Sequence, residues 1–158
     1  MPLKEQKILV IEDDPDHAEL ILDVFESEGI KSDVFLMNDG QEVIDYFQEK
    51  DSLAKDVQSN IECDSGDNGH SQIGLIILDI NLPKVSGMDI LKHLKGNSRY
   101  RSIPIVILST SSDQKTISEA YKNGANSFIT KPMSYDEFVD KIKLLRIYWS
   151  DANRSQEK

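Results

Sequence analysis

Leu75-Ile76-Ile77-Leu78-Asp79 is an apolar run of strand length that ends in a carboxylate. Its four apolar residues show no alternation with polar ones, which is the mark of a strand covered on both faces, as in a parallel sheet. Three other runs share this form. Ile8-Leu9-Val10-Ile11 leads into Glu12-Asp13-Asp14, Ile105-Val106-Ile107-Leu108 into Ser109-Thr110, and Phe128-Ile129 into Thr130-Lys131-Pro132. Between the runs, apolar residues recur at helical spacing. Leu20, Ile21, Val24 and Phe25 mark one helix, stopped near Gly29; Val43, Ile44 and Phe47 mark a second. Met88, Ile90, Leu91 and Leu94 mark a third, Thr116 to Lys122 a fourth closed by Asn123-Gly124, and Phe138, Val139, Ile142 and Leu145 a fifth. Val34 to Met37 is a weaker strand. The pattern is βα repeated five times. It predicts a doubly wound α/β fold, a five-stranded parallel sheet with helices on both faces. In that architecture ligands sit beyond the carboxyl ends of the strands, where the four polar endings fall.

At 158 residues the chain suits one domain, expected over 1–150, with a polar tail over 151–158. The formal net charge of -10 argues against nucleic acid or an anionic membrane surface as the main partner. A single cysteine, Cys63, forms no intramolecular disulfide and suits a reducing compartment. The first seven residues lack the apolar core of a signal peptide, and no apolar stretch reaches the roughly 20 residues that span a bilayer. The expectation is a soluble cytoplasmic protein. Residues 51–73 interrupt the pattern. They are rich in Asp, Ser, Asn and Gly and read as a flexible acidic insertion. Asp64 to Gly69 faintly resembles a calcium loop, but Gly66 and Leu75 stand where oxygen ligands are needed. Cys63 and His70 are too few for zinc.

The strand endings form one chemical kit. A carboxylate can attack a phosphoryl group, provided the repulsion between two anions is cancelled. A hard cation with oxygen ligands does this. Asp13 and Asp79 would ligate Mg²⁺ directly and Glu12 through water, Lys131 would balance the remaining phosphate charge, and Ser109 would donate to a phosphate oxygen. Each residue also has a plainer reading. Asp14 before Pro15 reads as a helix cap, Asp79 could form a turn, and Ser109 could cap the fourth helix, although Ser112 or Asp113 is better placed. His17, His70 and His93 lie off the strand ends and read as surface residues without a phosphate-donor role.

Ile8 to Asp14, Leu75 to Gly87, Ile103 to Thr110 and Phe128 to Pro132 together resemble response-regulator receiver domains, whose fold is the flavodoxin-like (βα)5 arrangement. The resemblance covers the chain apart from the insertion and the tail. It implies that Asp79 accepts phosphate from a sensor histidine kinase or a histidine phosphotransfer protein. Glu12 and Asp13 match the acidic pair, and Asn81 the position whose backbone carbonyl ligates Mg²⁺. Ser109 and Phe128 match the switch hydroxyl and switch aromatic, Lys131 the lysine of the pattern. Asn81 and Ser111 match positions that tune the lifetime of the acyl phosphate. Glu12 to Asp16, Asn81 to Lys84 and Arg146 to Trp149 further resemble single-domain regulators paired with bacterial and cyanobacterial phytochromes, which implies a phytochrome-type kinase. The acidic insertion departs from that pattern.

Beyond Ser150 the sequence is too short for a DNA-binding or catalytic output domain, so output is expected as protein binding or phosphate hand-off. The resemblance implies a switching face made by the fourth helix, fifth strand and fifth helix, with a homodimer or a downstream protein as occupant. Leu144, Ile147, Tyr148 and Tyr121 could form an exposed patch there, beside a core stripe of Phe138, Ile142, Leu145 and Trp149; a broad buried face is the other reading. Two other functions compete. A phosphorylation-independent adaptor would make no use of so complete a site. A small aspartyl-phosphate hydrolase would need a second Asp where Asn81 stands. The expected protein is thus not an enzyme beyond its own phosphoryl transfer and dephosphorylation.

Overall fold

The computed structural model describes residues 7–27, 34–49, 73–82, 84–110, 113–131 and 134–156, with backbone alone over 146–156. In chain order the elements are β1 (Lys7–Ile11), α1 (Pro15–Ser27), β2 (Val34–Met37), α2 (40–49), β3 (Ile73–Asp79), α3 (Gly87–Lys95), β4 (Ile105–Ser109), α4 (Gln114–Lys122), β5 (Ser127–Thr130) and α5 (Tyr135–Gln156). The strands form one parallel sheet in the order β2-β1-β3-β4-β5. This is the expected doubly wound fold. The order reverses between β1 and β3, which opens a crevice at their carboxyl ends.

Period-2 alternation divides the strand side chains between two cores. Leu9, Ile11, Ile76, Leu78, Ile105 and Ile107 pack with Val43 and Phe47 of α2, Ile90, Leu91 and Leu94 of α3, and Ala120 of α4. Ile8, Val10, Leu75, Ile77, Val106 and Leu108 face the other way, onto Ile21, Val24 and Phe25 of α1 and Phe138, Ile142 and Leu145 of α5. Both faces of β1, β3 and β4 are therefore dry, and this is why these strands read as unbroken apolar runs.

Helix starts follow local chemistry. Ser86 caps α3 through its hydroxyl, which accepts from the Asp89 N–H, and Asp113 caps α4 by accepting from the Thr116 N–H. Gly124 follows α4 at φ +106°, a left-handed stop. Two boundaries differ from expectation. Ile73 opens β3 and pairs with Lys7 rather than belonging to the insertion; Gly74 masks the strand signal in the sequence, and the register shifts just there. The backbone also stays helical through Gln156, where a separate tail was expected from 151, because no Gly or Pro interrupts propagation of the helix. The rest of the insertion, with Cys63 and His70, lies outside the described residues, as do Ser111, Ser112, Pro132 and the side chains of Ile147, Tyr148 and Trp149.

Candidate functional site

The ladder register brings the polar endings together. Ile11 pairs with Leu78, Asp79 with Leu108, and Ser109 with Thr130, so Glu12, Asp79, Ser109 and Lys131 stand at one rim. Backbone bonds carry the ladder one step past the strands. The Glu12 N–H donates to Met37 O at 3.0 Å, Ile80 N–H to Leu108 O at 3.1 Å, and Lys131 N–H to Ser109 O at 2.7 Å. The site residues are thereby held by the sheet itself rather than by free loops.

At the rim, Lys131 Nζ donates to Glu12 Oε1 at 2.7 Å and to Asp79 Oδ2 at 3.2 Å. All three side chains are buried. The other oxygens are engaged as well. Asp79 Oδ1 accepts from the Asn81 N–H at 3.0 Å, and Glu12 Oε2 from the Asp14 N–H at 3.1 Å. Carboxylate oxygens of Glu12, Asp13 and Asp79 lie within 4.8 Å of one another, with Asp13 on the exposed side. Oxygen-only donors around one point suit a hard divalent cation. Three carboxylates facing one ammonium also leave negative charge that such a cation would match. Burial, followed by the nearby Asp79, pushes the Glu12 carboxyl up from 4.5 to about 7, and Lys131 opposes the shift only in part. Near neutrality this carboxyl therefore exchanges a proton when its surroundings change.

Ser109 is fully buried at the end of β4, and Phe128 is half-buried against the α2-α3-α4 side of the sheet. Asp14 is the α1 cap: its Oδ1 accepts from the Asp16 N–H at 2.9 Å and the His17 N–H at 3.4 Å. Those two bonds outweigh partial desolvation and hold its carboxyl below the usual range. Tyr121 and Leu144 are exposed.

His17 and His93 depart from the surface reading. His93 is half-buried on α3, and its Nε2 has no hydrogen-bond partner among the described residues. His17 reaches the site. Its Nδ1 lies 3.1 Å from Lys131 Nζ, and its ring meets Phe138 edge-on at 5.7 Å. The available signal was the cap. With Asp14 capping and Pro15 first in the helix, residue 17 sits in the first turn, where side chains lean back toward the helix N-terminus and the strand ends.

The family pattern described as the response regulator receiver domain matches residues 63–143. The "Probable methanogenesis regulatory protein FilR2" of Methanothrix harundinacea is 32% identical, the alignment covering 94% of this chain and 86% of the relative. This chain belongs to the response regulator receiver family. Receivers are signalling modules that act with histidine kinases. A receiver domain from Rhodospirillum rubrum superposes with a TM-score of 0.74 at 35% identity, over 91% of this chain and 93% of that one. The phosphorylated cyanobacterial phytochrome response regulator RcpA gives the same TM-score at 26% identity, over 93% and 95% of the two chains. The resemblance to phytochrome-associated regulators is thus seen in the fold as well as in the motifs. Among the described residues no helix is long and apolar enough to cross a membrane.

Proposed function

We propose that this receiver accepts a phosphoryl group on Asp79 from a histidine kinase or a histidine phosphotransfer protein, in a Mg²⁺-dependent reaction. The observation that carries the reading is the buried Lys131 ammonium bridging Asp79 and Glu12. An oxygen of Asp79 attacks phosphorus; the new O–P bond forms as the P–N bond of phosphohistidine breaks, and the imidazole leaves with the bonding pair. The Lys131 ammonium offsets the charge that the product adds. Mg²⁺, held by Asp13, Asp79 and the backbone carbonyl of Asn81 and, through water, by Glu12, would supply the charge neutralisation that lets two anions meet. Ser109 is the switch hydroxyl, which must turn toward the phosphoryl group from its buried position, and Phe128 moves with it. Asn81 and Ser111 set the lifetime of the product.

The signal leaves through the α4-β5-α5 face, by homodimer formation, by binding a downstream protein or by handing the phosphate on. Exposed Tyr121 and Leu144 on that face support this reading. Likeness to the phytochrome regulator RcpA favours a phytochrome-type kinase in the cytoplasm. The chemistry is confined to the protein's own phosphoryl transfer and dephosphorylation.

Intact-mass measurement after incubation with acetyl phosphate tests the reading. One phosphoryl adduct should form with Mg²⁺, and none with a chelator or in Asp79→Asn. An adduct that persists in Asp79→Asn, or no adduct from either acetyl phosphate or a phosphorylated histidine donor, would refute it.

A further inference from the structure

An ammonium has three N–H donors and no acceptor. In this structure Lys131 Nζ has three acceptors within reach: Glu12 Oε1 at 2.7 Å, Asp79 Oδ2 at 3.2 Å and His17 Nδ1 at 3.1 Å. The donor set is full, so no N–H is left for an arriving phosphoryl oxygen. One acceptor must yield. Both carboxylates are buried, and the Glu12 bond is short. His17 is different. It is 34% exposed and can accept only as an uncharged ring, and hydrogen bonds between a charged and a neutral group are weaker than those between two opposite charges. Its Nδ1 also lies 3.5 Å from Asp14 Oδ2. That distance is at the limit for a hydrogen bond, whereas the lysine contact is well within it. A proton on Nδ1 would face the ammonium at 3.1 Å; a lone pair there satisfies it. Phe138, packed edge-on against the ring, holds the imidazole in this orientation.

We propose that His17 is a positioning residue: its Nδ1 is the resting acceptor for the Lys131 ammonium, and the oxygen of an incoming phosphoryl group takes its place. The inference rests on phosphorylation of Asp79. It adds an energetic consequence. His17 stabilises the unphosphorylated state, because its bond to Lys131 is surrendered when phosphate arrives. It also gives Asp14 a second part, since an imidazole released by Lys131 is already beside a carboxylate that can accept its Nδ1–H.

Two readouts test this, one of which does not depend on phosphorylation. Nitrogen NMR of the His17 ring at pH 8 should show Nδ1 unprotonated and Nε2 protonated. In Lys131→Met the proton should move toward Nδ1, with Asp14 as its acceptor. Beryllofluoride with Mg²⁺, which mimics an acyl phosphate, reads the exchange. His17→Phe keeps a ring against Phe138 but has no acceptor, so one ammonium donor is left wanting a partner. It should bind beryllofluoride about three- to tenfold more tightly than wild type, the scale of one hydrogen bond. His17→Gln, whose amide oxygen can accept, should return toward the wild-type value. A protonated Nδ1 in wild type, or equal or weaker binding in His17→Phe, overturns the proposal. If wild type takes neither beryllofluoride nor phosphate, the function reading falls and the exchange with it; the tautomer then reports only on the resting contact.

Discussion

Glu12 makes divalent-metal binding depend on pH, and the size of the effect follows from its buried setting. Its carboxyl is pushed up to about 7, by burial first and by Asp79 second. In the metal-free protein at pH 7 this group is therefore about half protonated. A cation coordinated at the cluster favours the ionised form, so binding at pH 7 should expel about half a proton, rising to nearly one at pH 6 and falling to about a tenth at pH 8. If the cation binds only the ionised form, affinity falls about tenfold between pH 8 and pH 6, or roughly 1.4 kcal/mol. Isothermal titration of Mg²⁺ in two buffers of different ionisation enthalpy measures both the affinity and the proton count. Glu12→Gln should flatten the dependence. An affinity that changes less than about twofold over this range, with no proton release, would refute the reasoning. So would a slope that survives in Glu12→Gln. The same shift has a consequence for folding without metal. The folded pKa lies above the unfolded one, so the folded state binds more protons between pH 4.5 and about 7. Its stability is whole below that window and declines as pH rises through it.

Lys131→Met leaves Glu12 and Asp79 buried without their cation, and breaking such a pair costs about 3–5 kcal/mol. Protonation of Glu12 relieves part of that cost, so urea denaturation should show a larger loss at pH 8.5 than at pH 6, and equal losses at both would sink the argument. Gly87→Ala would drive a Cβ into the Asp79 carbonyl oxygen and to 2.5 Å from Ile80 Cα, both of them backbone atoms. Something must shift beneath Asp79, so the variant should lose about 1–3 kcal/mol in a thermal or urea melt and bind Mg²⁺ several-fold more weakly. Unchanged metal affinity in a folded Gly87→Ala protein would show that Asp79 does not depend on that contact.

Much of this protein is legible from local pattern. Apolar runs at β1, β3 and β4, helical spacing between them, and capping residues such as Asp14 and Asp113 are nearest-neighbour signals, because strand and helix periods repeat over a few residues. The meeting of the strand ends follows almost directly, since parallel strands joined by right-handed crossovers present their carboxyl ends at one rim. Where the pattern is interrupted it misleads. Gly74 hides Ile73 in β3, and polar residues after Ser150 look like a tail although the helix continues.

Acidic and basic residues at the strand ends were therefore set by the sequence alone, as a list of groups with a shared address. Tertiary structure decided how those groups act on one another. The Lys131–Glu12 bond joins positions 119 residues apart, and no local spacing encodes it. The raised proton affinity of Glu12 arises first from burial and then from Asp79, which is distant in sequence, rather than from the Glu12-Asp13-Asp14 motif itself. His17 carries no signal of its own beyond a helix position. It enters the site because α1 packs beside α5, which brings its ring to Phe138 and its nitrogen to Lys131. Chemical identity is local in a chain; proton affinity and hydrogen-bond partnership depend on what surrounds a group in space.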